Sequence, residues 1–144
     1  MDGFEPLTGV LVLAATNRPE AIDAALLRPG RFDQVVYVGP PTQQAREAIF
    51  AVHLRGLTTA PDVDLARLAV LAHGSSGAEI QAIVEGAGQA ALERFEDLYD
   101  DCGMAEVEPC ILMEDLEAAV KRTSCKITPQ MVEGYERWTA QFQR

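Results

Sequence analysis

Three polar side chains stand out, set among apolar and turn-forming residues. Asn17 follows an unbroken apolar run from Val10 to Ala15, and Arg28 and Arg31 flank Pro29 and Gly30. A polar residue at the C-terminal end of a buried parallel strand is where open α/β sheets place ligand-contacting groups. An asparagine both donates and accepts hydrogen bonds, so Asn17 can hold a water against a phosphate; the plainer alternative is that it starts a turn ahead of Pro19. Guanidinium is permanently charged and matches phosphate oxygens in a two-pronged fork. Two of them on one stiff Pro-Gly turn therefore suit phosphate recognition. The competing reading is a solvated or salt-bridged pair near Asp23 and Asp33.

The elements that must position these groups are legible in the apolar pattern. The run Val10–Ala15 reads as a strand covered on both faces, and Val35–Val38, closed by Gly39, Pro40 and Pro41, as a second strand. Between them Ile22–Leu27 has room for a short helix before Pro29 and Gly30 stop it. Two strands do not make a sheet buried on both faces, so residues 1–40 read as the end of a larger α/β domain.

From Thr42 the period becomes helical. Thr42 is placed as an N-cap, with Ala45, Ala48, Ile49 and Val52 along one face. A second helix is expected over Asp64–His73. A third opens on the capping-box pair Ser76 and Glu79 and runs through Ile80, Val84, Ala87, Ala91, Phe95 and Leu98. An irregular acidic stretch is expected from Asp100 to Pro109. A fourth helix then carries Leu112, Leu116, Ala119 and Val120, and Thr128 with Pro129 opens a fifth. Residues 41–144 thus read as a small all-helical domain.

Composition excludes some partners. The chain carries a formal charge of -10, and the acids concentrate after residue 56; this opposes direct contact with a nucleic-acid backbone. The longest apolar stretch is too short to span a bilayer, and no membrane insertion is expected. Cys102, Cys110 and Cys125 have neither zinc-site nor redox-pair spacing, so free thiols in a reducing, intracellular setting are expected, with a nuclear pool left open. The acids Glu93, Glu96, Asp97, Asp100 and Asp101 read as a solvated helix end, and Tyr135, Trp138 and Phe142 as a packing face.

The segment AATNRPEAIDAALLRPGRFDQVVYVG (Ala14–Gly39), together with Met1–Gly3, DVDLARLA (Asp62–Ala69) and GSSGAEI (Gly74–Ile80), resembles the AAA-family ATPases. The similarity is greatest to the valosin-containing-protein subgroup and its ribosome-biogenesis and spermatogenesis-associated relatives. The resemblance implies a fold: the end of the parallel sheet of a P-loop NTPase over residues 1–40, followed by a helical lid with a C-terminal helix over residues 41–144. It implies Asn17 as the sensor-1 residue and Arg28 and Arg31 as arginine fingers reaching the neighbouring subunit's nucleotide. Ile49 and His53 would pack near adenine and ribose, with Gly77 and Ala78 letting the backbone approach the base. Each of these four has a plain structural alternative: Ile49 as core, His53 as a half-buried helix histidine, and Gly77 and Ala78 as the turn after the Ser76 cap. Glu79 stands where other branches of the family carry an arginine that reaches the γ-phosphate in cis.

The resemblance further implies ATP or ADP with Mg2+, a homo-hexamer, and protein substrates and adaptors. No Gly-rich loop ending in Lys and Ser or Thr occurs in these residues, nor an apolar strand ending in Asp and Glu. The magnesium ligands are therefore expected upstream of Met1, no metal-binding residue is assigned here, and the chain alone is expected to be inactive. The sequence Ile111–Asp115 has its acids in the reverse order and reads as helix core. Two other readings stay open: a membrane-bound AAA protease, whose HExxH motif these residues lack, and a non-catalytic helical interaction module derived from an AAA protein.

Overall fold

The structure, a computed structural model, describes residues 9–102 and 108–142, and the side chains of these apart from residues 98–102. Met1–Gly3, the stripe position of Leu98, the solvated assignment of Asp100 and Asp101, and the Cys102 thiol lie outside what is described. The chain divides into two compact units, residues 40–128 and residues 1–39 with 129–144.

Residues 40–128 form a four-helix unit. Helix α1, Gln43–His53, starts where Thr42 accepts a hydrogen bond from the Ala45 N–H. Helix α2, Leu65–Leu71, is capped by Asp64, which accepts from the Arg67 N–H at 3.0 Å. Helix α3, Gly77–Cys102, opens on the expected capping box: Ser76 N–H donates to Glu79 Oε2 at 2.7 Å, and Glu79 N–H donates to Ser76 Oγ at 3.3 Å. These side chains satisfy amide donors that a helix start leaves without partners. Helix α3 continues through Asp100 and Asp101 to Cys102, so the irregular segment starts later than the sequence suggests. Helix α4, Met113–Arg122, follows a single parallel bridge between Thr59 and Ile111, made by Ile111 N–H to Thr58 C=O and Ala60 N–H to Ile111 C=O.

The core of this unit gathers Phe50 and Leu54 from α1 and its end, Leu68 from α2, Ile80, Ile83, Val84, Ala87 and Ala91 from α3, and Leu116 and Ala119 from α4. The buried face of α1 is rotated from the expected one: Arg46 and Phe50 are buried, whereas Ala48 and Val52 are exposed. An arginine in a core face is tolerated when its donors are satisfied. Arg46 meets that condition, with Nε donating to the Ala69 carbonyl at 2.9 Å and Nη1 to the Pro41 carbonyl at 2.8 Å. Its aliphatic stem then packs as a hydrophobe.

Arg94 and Asp115 tie α3 to α4. The guanidinium forks onto the carboxylate at 2.6 and 2.8 Å and also donates to the Cys110 carbonyl, and Leu112 N–H donates to Asp115 Oδ2 at 2.9 Å. The Arg94 hydrogen bonds hold the Asp115 carboxyl below the usual carboxylate range, against a burial effect that would raise it. A group whose folded pKa is depressed contributes stability above its unfolded value and loses it as pH falls through the folded one. Wild-type stability is therefore expected to drop faster than that of Asp115→Asn once pH falls below the carboxyl's ordinary value of 3.8. At pH 7, Asp115→Asn should cost about 1–3 kcal/mol, moderated by solvent at the partly exposed Arg94. Urea midpoints of the two proteins from pH 7 to pH 3 test both statements; parallel curves would refute the linkage.

The other unit corrects an expectation. Val10–Ala15 and Val35–Val38 lie outside any helix, but no strand forms among the described residues, and no sheet remnant is seen there. Leu11 and Leu13 are 82% and 84% exposed, and Val36 and Val38 are 78% and 87% exposed. A strand exists by virtue of lateral partners for its N–H and C=O groups, and among the described residues these segments pair with no strand. Amide exchange in a dilute sample should be fast at residues 10–15 and slow at Ile80–Ala91 of α3; equal protection would show that the apolar run is paired. In place of the single short helix come two 3-10 helices, Pro19–Ala21 and Ala24–Leu27, and helix α5 spans Pro129–Ala140.

Candidate functional site

In the unit of residues 1–39 and 129–144, Asn17 sits at a bend that follows the apolar run. Arg18 N–H donates to Thr16 Oγ1 at 2.9 Å and Ala21 N–H to the Arg18 carbonyl, so the chain around Asn17 is bent by its own local bonds. The Asn17 side chain is exposed. Its main-chain carbonyl accepts a hydrogen bond from Tyr135 Oη of α5 at 2.9 Å. Tyr135 in turn lies against Tyr37, with ring centroids 6.2 Å apart. Burial pushes the Tyr37 phenol pKa up, aided by the nearby Glu136 and Tyr135, so the Tyr37 hydroxyl keeps its proton over the physiological range. A cavity of about 560 Å³ is bounded by Asn17, Pro19, Leu27, Tyr37 and Trp138 among others.

Arg28 and Arg31 occupy the first and last positions of a turn closed by Arg31 N–H to the Arg28 carbonyl at 3.2 Å. Pro29 presets the second position, and Gly30 at φ 87° takes the third, where a side chain would be strained. Asp33 locks the turn by accepting from Gly30 N–H at 2.6 Å, and Asp23 caps the preceding 3-10 helix by accepting from Ala25 N–H at 2.8 Å. The two arginines differ in setting. Arg31 is half-buried and donates from Nη1 to the Ala25 carbonyl at 2.9 Å, whereas Arg28 is exposed. The turn thus aims Arg28 outward and uses Arg31 partly to brace itself.

In the helical unit, Ile49 and His53 are four residues apart on α1, both half-buried, with Ile49 packed on the core. Gly77 and Ala78 form the first turn of α3, and a Cβ built on Gly77 would meet open space. Packing among the described residues therefore gives no reason for glycine there. Glu79 is engaged in structure: besides the cap, its Oε1 accepts from Lys126 N–H at 2.7 Å. Burial raises its pKa, but the Ser76 and Lys126 hydrogen bonds outweigh it and leave the carboxyl lowered. Glu79 is thus an anion fastened into the start of α3 by its own cap and by Lys126.

The Tyr135 and Lys126 contacts were not anticipated from the sequence. Each joins residues far apart in the chain, with a backbone atom on one side, and neither a carbonyl nor an amide N–H leaves a signature in residue type. Among the described residues no three His, Cys, Asp or Glu side chains gather to hold a metal ion, and no helix is long and apolar enough to cross a membrane. Cys110 and Cys125 are free thiols.

Comparison with known proteins gives two family matches and a set of relatives. Residues 1–40 match the family described as ATPase family associated with various cellular activities (AAA), and residues 62–118 match the AAA+ lid domain. The chain is 40% identical over 147 residues to the cell division cycle protein 48 homolog of Archaeoglobus fulgidus, covering 100% of this chain and 20% of that protein. It is 50% identical over 100 residues to the proteasome-activating nucleotidase of Methanocella arvoryzae, covering 69% of this chain and 24% of the relative. With the ATP-dependent zinc metalloprotease FtsH of Acaryochloris marina the identity is 43% over 122 residues, covering 85% of this chain and 17% of that protein. The chain spans about a quarter or less of the length of these relatives. With the ATPase match followed by the lid match, the chain belongs to the AAA ATPase family, of which it carries part of the ATPase domain and the lid.

Proposed function

We propose that this chain supplies the sensing, trans-acting and lid parts of a Mg2+-dependent ATPase that works as a homo-hexameric ring and spends ATP on remodelling or unfolding protein assemblies. In this reading residues 1–40 close the nucleotide-binding subdomain, and Val10–Ala15 and Val35–Val38 become strands once the rest of the sheet lies beside them. Residues 41–144 form the lid and its C-terminal helix. Asn17 orients the attacking water at the γ-phosphate, and Arg28, braced by Arg31, reaches the nucleotide of the adjacent subunit. Ile49 and His53 flank adenine and ribose, and Gly77 and Ala78 let the base approach the start of α3. Phosphate-loop and magnesium-binding residues come from elsewhere in the protein, which acts in the cytoplasm, with a nuclear pool besides.

The observation that carries this reading is the RPGR turn. Pro29, Gly30 and Asp33 hold it rigid while Arg28 stays exposed. A preorganised guanidinium needs little ordering when it meets a phosphate, and its use in a neighbour's site explains why it is bound so loosely in its own chain. Mixing subunits that lack Arg28 with subunits whose phosphate loop is disabled is the test. Hydrolysis regained in mixed rings supports the reading, and no recovery in demonstrated mixed hexamers would overturn it.

A further inference from the structure

Asn17 is placed from one side by local bonds and from the other by the far end of the chain. Thr16 and Arg18 bend the backbone on either flank, but neither bond fixes the Asn17 carbonyl itself. That carbonyl is held by the Tyr135 hydroxyl at 2.9 Å. Tyr135 is half-buried and stacked obliquely on Tyr37 at an interplanar angle of 34°. Trp138 and Thr139, three and four positions on, share its helix face, and Thr139 is only 5% exposed. The phenol ring thus lies against Tyr37 while its hydroxyl meets the one residue whose side chain is read as the phosphate sensor.

We infer that Tyr135 is a positioning residue for Asn17, with α5 acting as a strut that sets where the Asn17 amide stands relative to a bound γ-phosphate and its attacking water. The inference rests on the sensor reading of Asn17. Its physical basis is the short lever from carbonyl to side chain: both are fixed to the same Cα, so freeing the carbonyl lets the amide swing. Small misplacements of positioning groups reduce turnover without weakening ground-state binding.

Two measurements test it. Asn17 is the sole asparagine in the sequence, so this chain labelled with carbonyl-13C asparagine gives a single main-chain resonance. Tyr135→Phe keeps the ring and its packing but removes the donor, and that resonance should move upfield as the hydrogen bond is lost; an unmoved resonance overturns the inference. In the full-length ATPase, Tyr135→Phe should lower kcat by about 3- to 10-fold, the usual effect of one hydrogen bond, with KM for ATP unchanged. Added to Asn17→Ala it should cause no further loss, because the two residues act through one group. If Asn17→Ala is inactive while Tyr135→Phe turns over normally, the positioning role is wrong and the sensor reading stands. If Asn17→Ala itself turns over normally, the sensor reading falls and the positioning role falls with it.

Discussion

Replacing Arg28 by Ala in the full-length ATPase is expected to lower ATP hydrolysis by about 10³- to 10⁵-fold, the range for arginine fingers on transferring phosphoryl groups. The side chain is exposed, and the turn that carries it is closed by backbone bonds and by Asp33, so its loss should leave the fold intact. The loss is therefore chemical rather than structural. Binding of ATP to the mutant's own phosphate loop should change little if, as proposed, the guanidinium acts on a neighbour's nucleotide. Lysine should not restore the rate, since an ammonium is a point charge without the two-pronged donor geometry. Arg28→Ala homomers and loop-disabled homomers should each be nearly inactive. Mixed rings should hydrolyse ATP wherever an intact finger faces an intact loop. Single-turnover rates combined with native mass spectrometry of the mixtures check this. An Arg28→Ala protein that hydrolyses ATP within tenfold of wild type would remove the arginine from the chemistry.

Phe50→Ala should be the most damaging single change to the helical unit, destabilising it by about 3–5 kcal/mol. Phe50 is fully buried between α1 and the packed faces of α2 and α3, where no small shift can refill the space of a lost phenyl ring. A loss of this size removes a large part of the stability of a domain this small. Val52→Ala, two positions along the same helix, should change stability by less than about 0.5 kcal/mol, because its side chain is 57% exposed. The contrast decides between the two possible inward faces of α1. Urea unfolding followed by helix circular dichroism measures it, and equal losses for the two variants would restore the face centred on Ala48 and Val52.

The sequence alone determined those features whose causes are local. Thr42, Asp64 and the Ser76–Glu79 pair mark helix starts, because a cap acts on amides two or three residues away. The RPGR turn is legible because proline and glycine restrict φ at their own positions, and Thr128 with Pro129 announces α5 for the same reason. The family motifs are likewise short contiguous strings, which is why the ATPase and lid assignments could be made before any coordinates.

Tertiary structure decided whatever depends on a partner distant in the chain. Arg46 belongs to the core face of α1 only because the carbonyls of Ala69 and Pro41 lie in reach, so a hydropathy pattern that counts arginine as polar turns the helix the wrong way. Asp115, within the stretch Ile111–Asp115, is a buried carboxylate because Arg94 meets it from α3. The apolar run Val10–Ala15 has the composition of a central strand, yet composition does not provide neighbours, and among the described residues the segment joins no strand and is exposed. Tyr135 reaches the Asn17 carbonyl across 118 residues of sequence, a contact that no local pattern encodes because a backbone oxygen is the same in every residue.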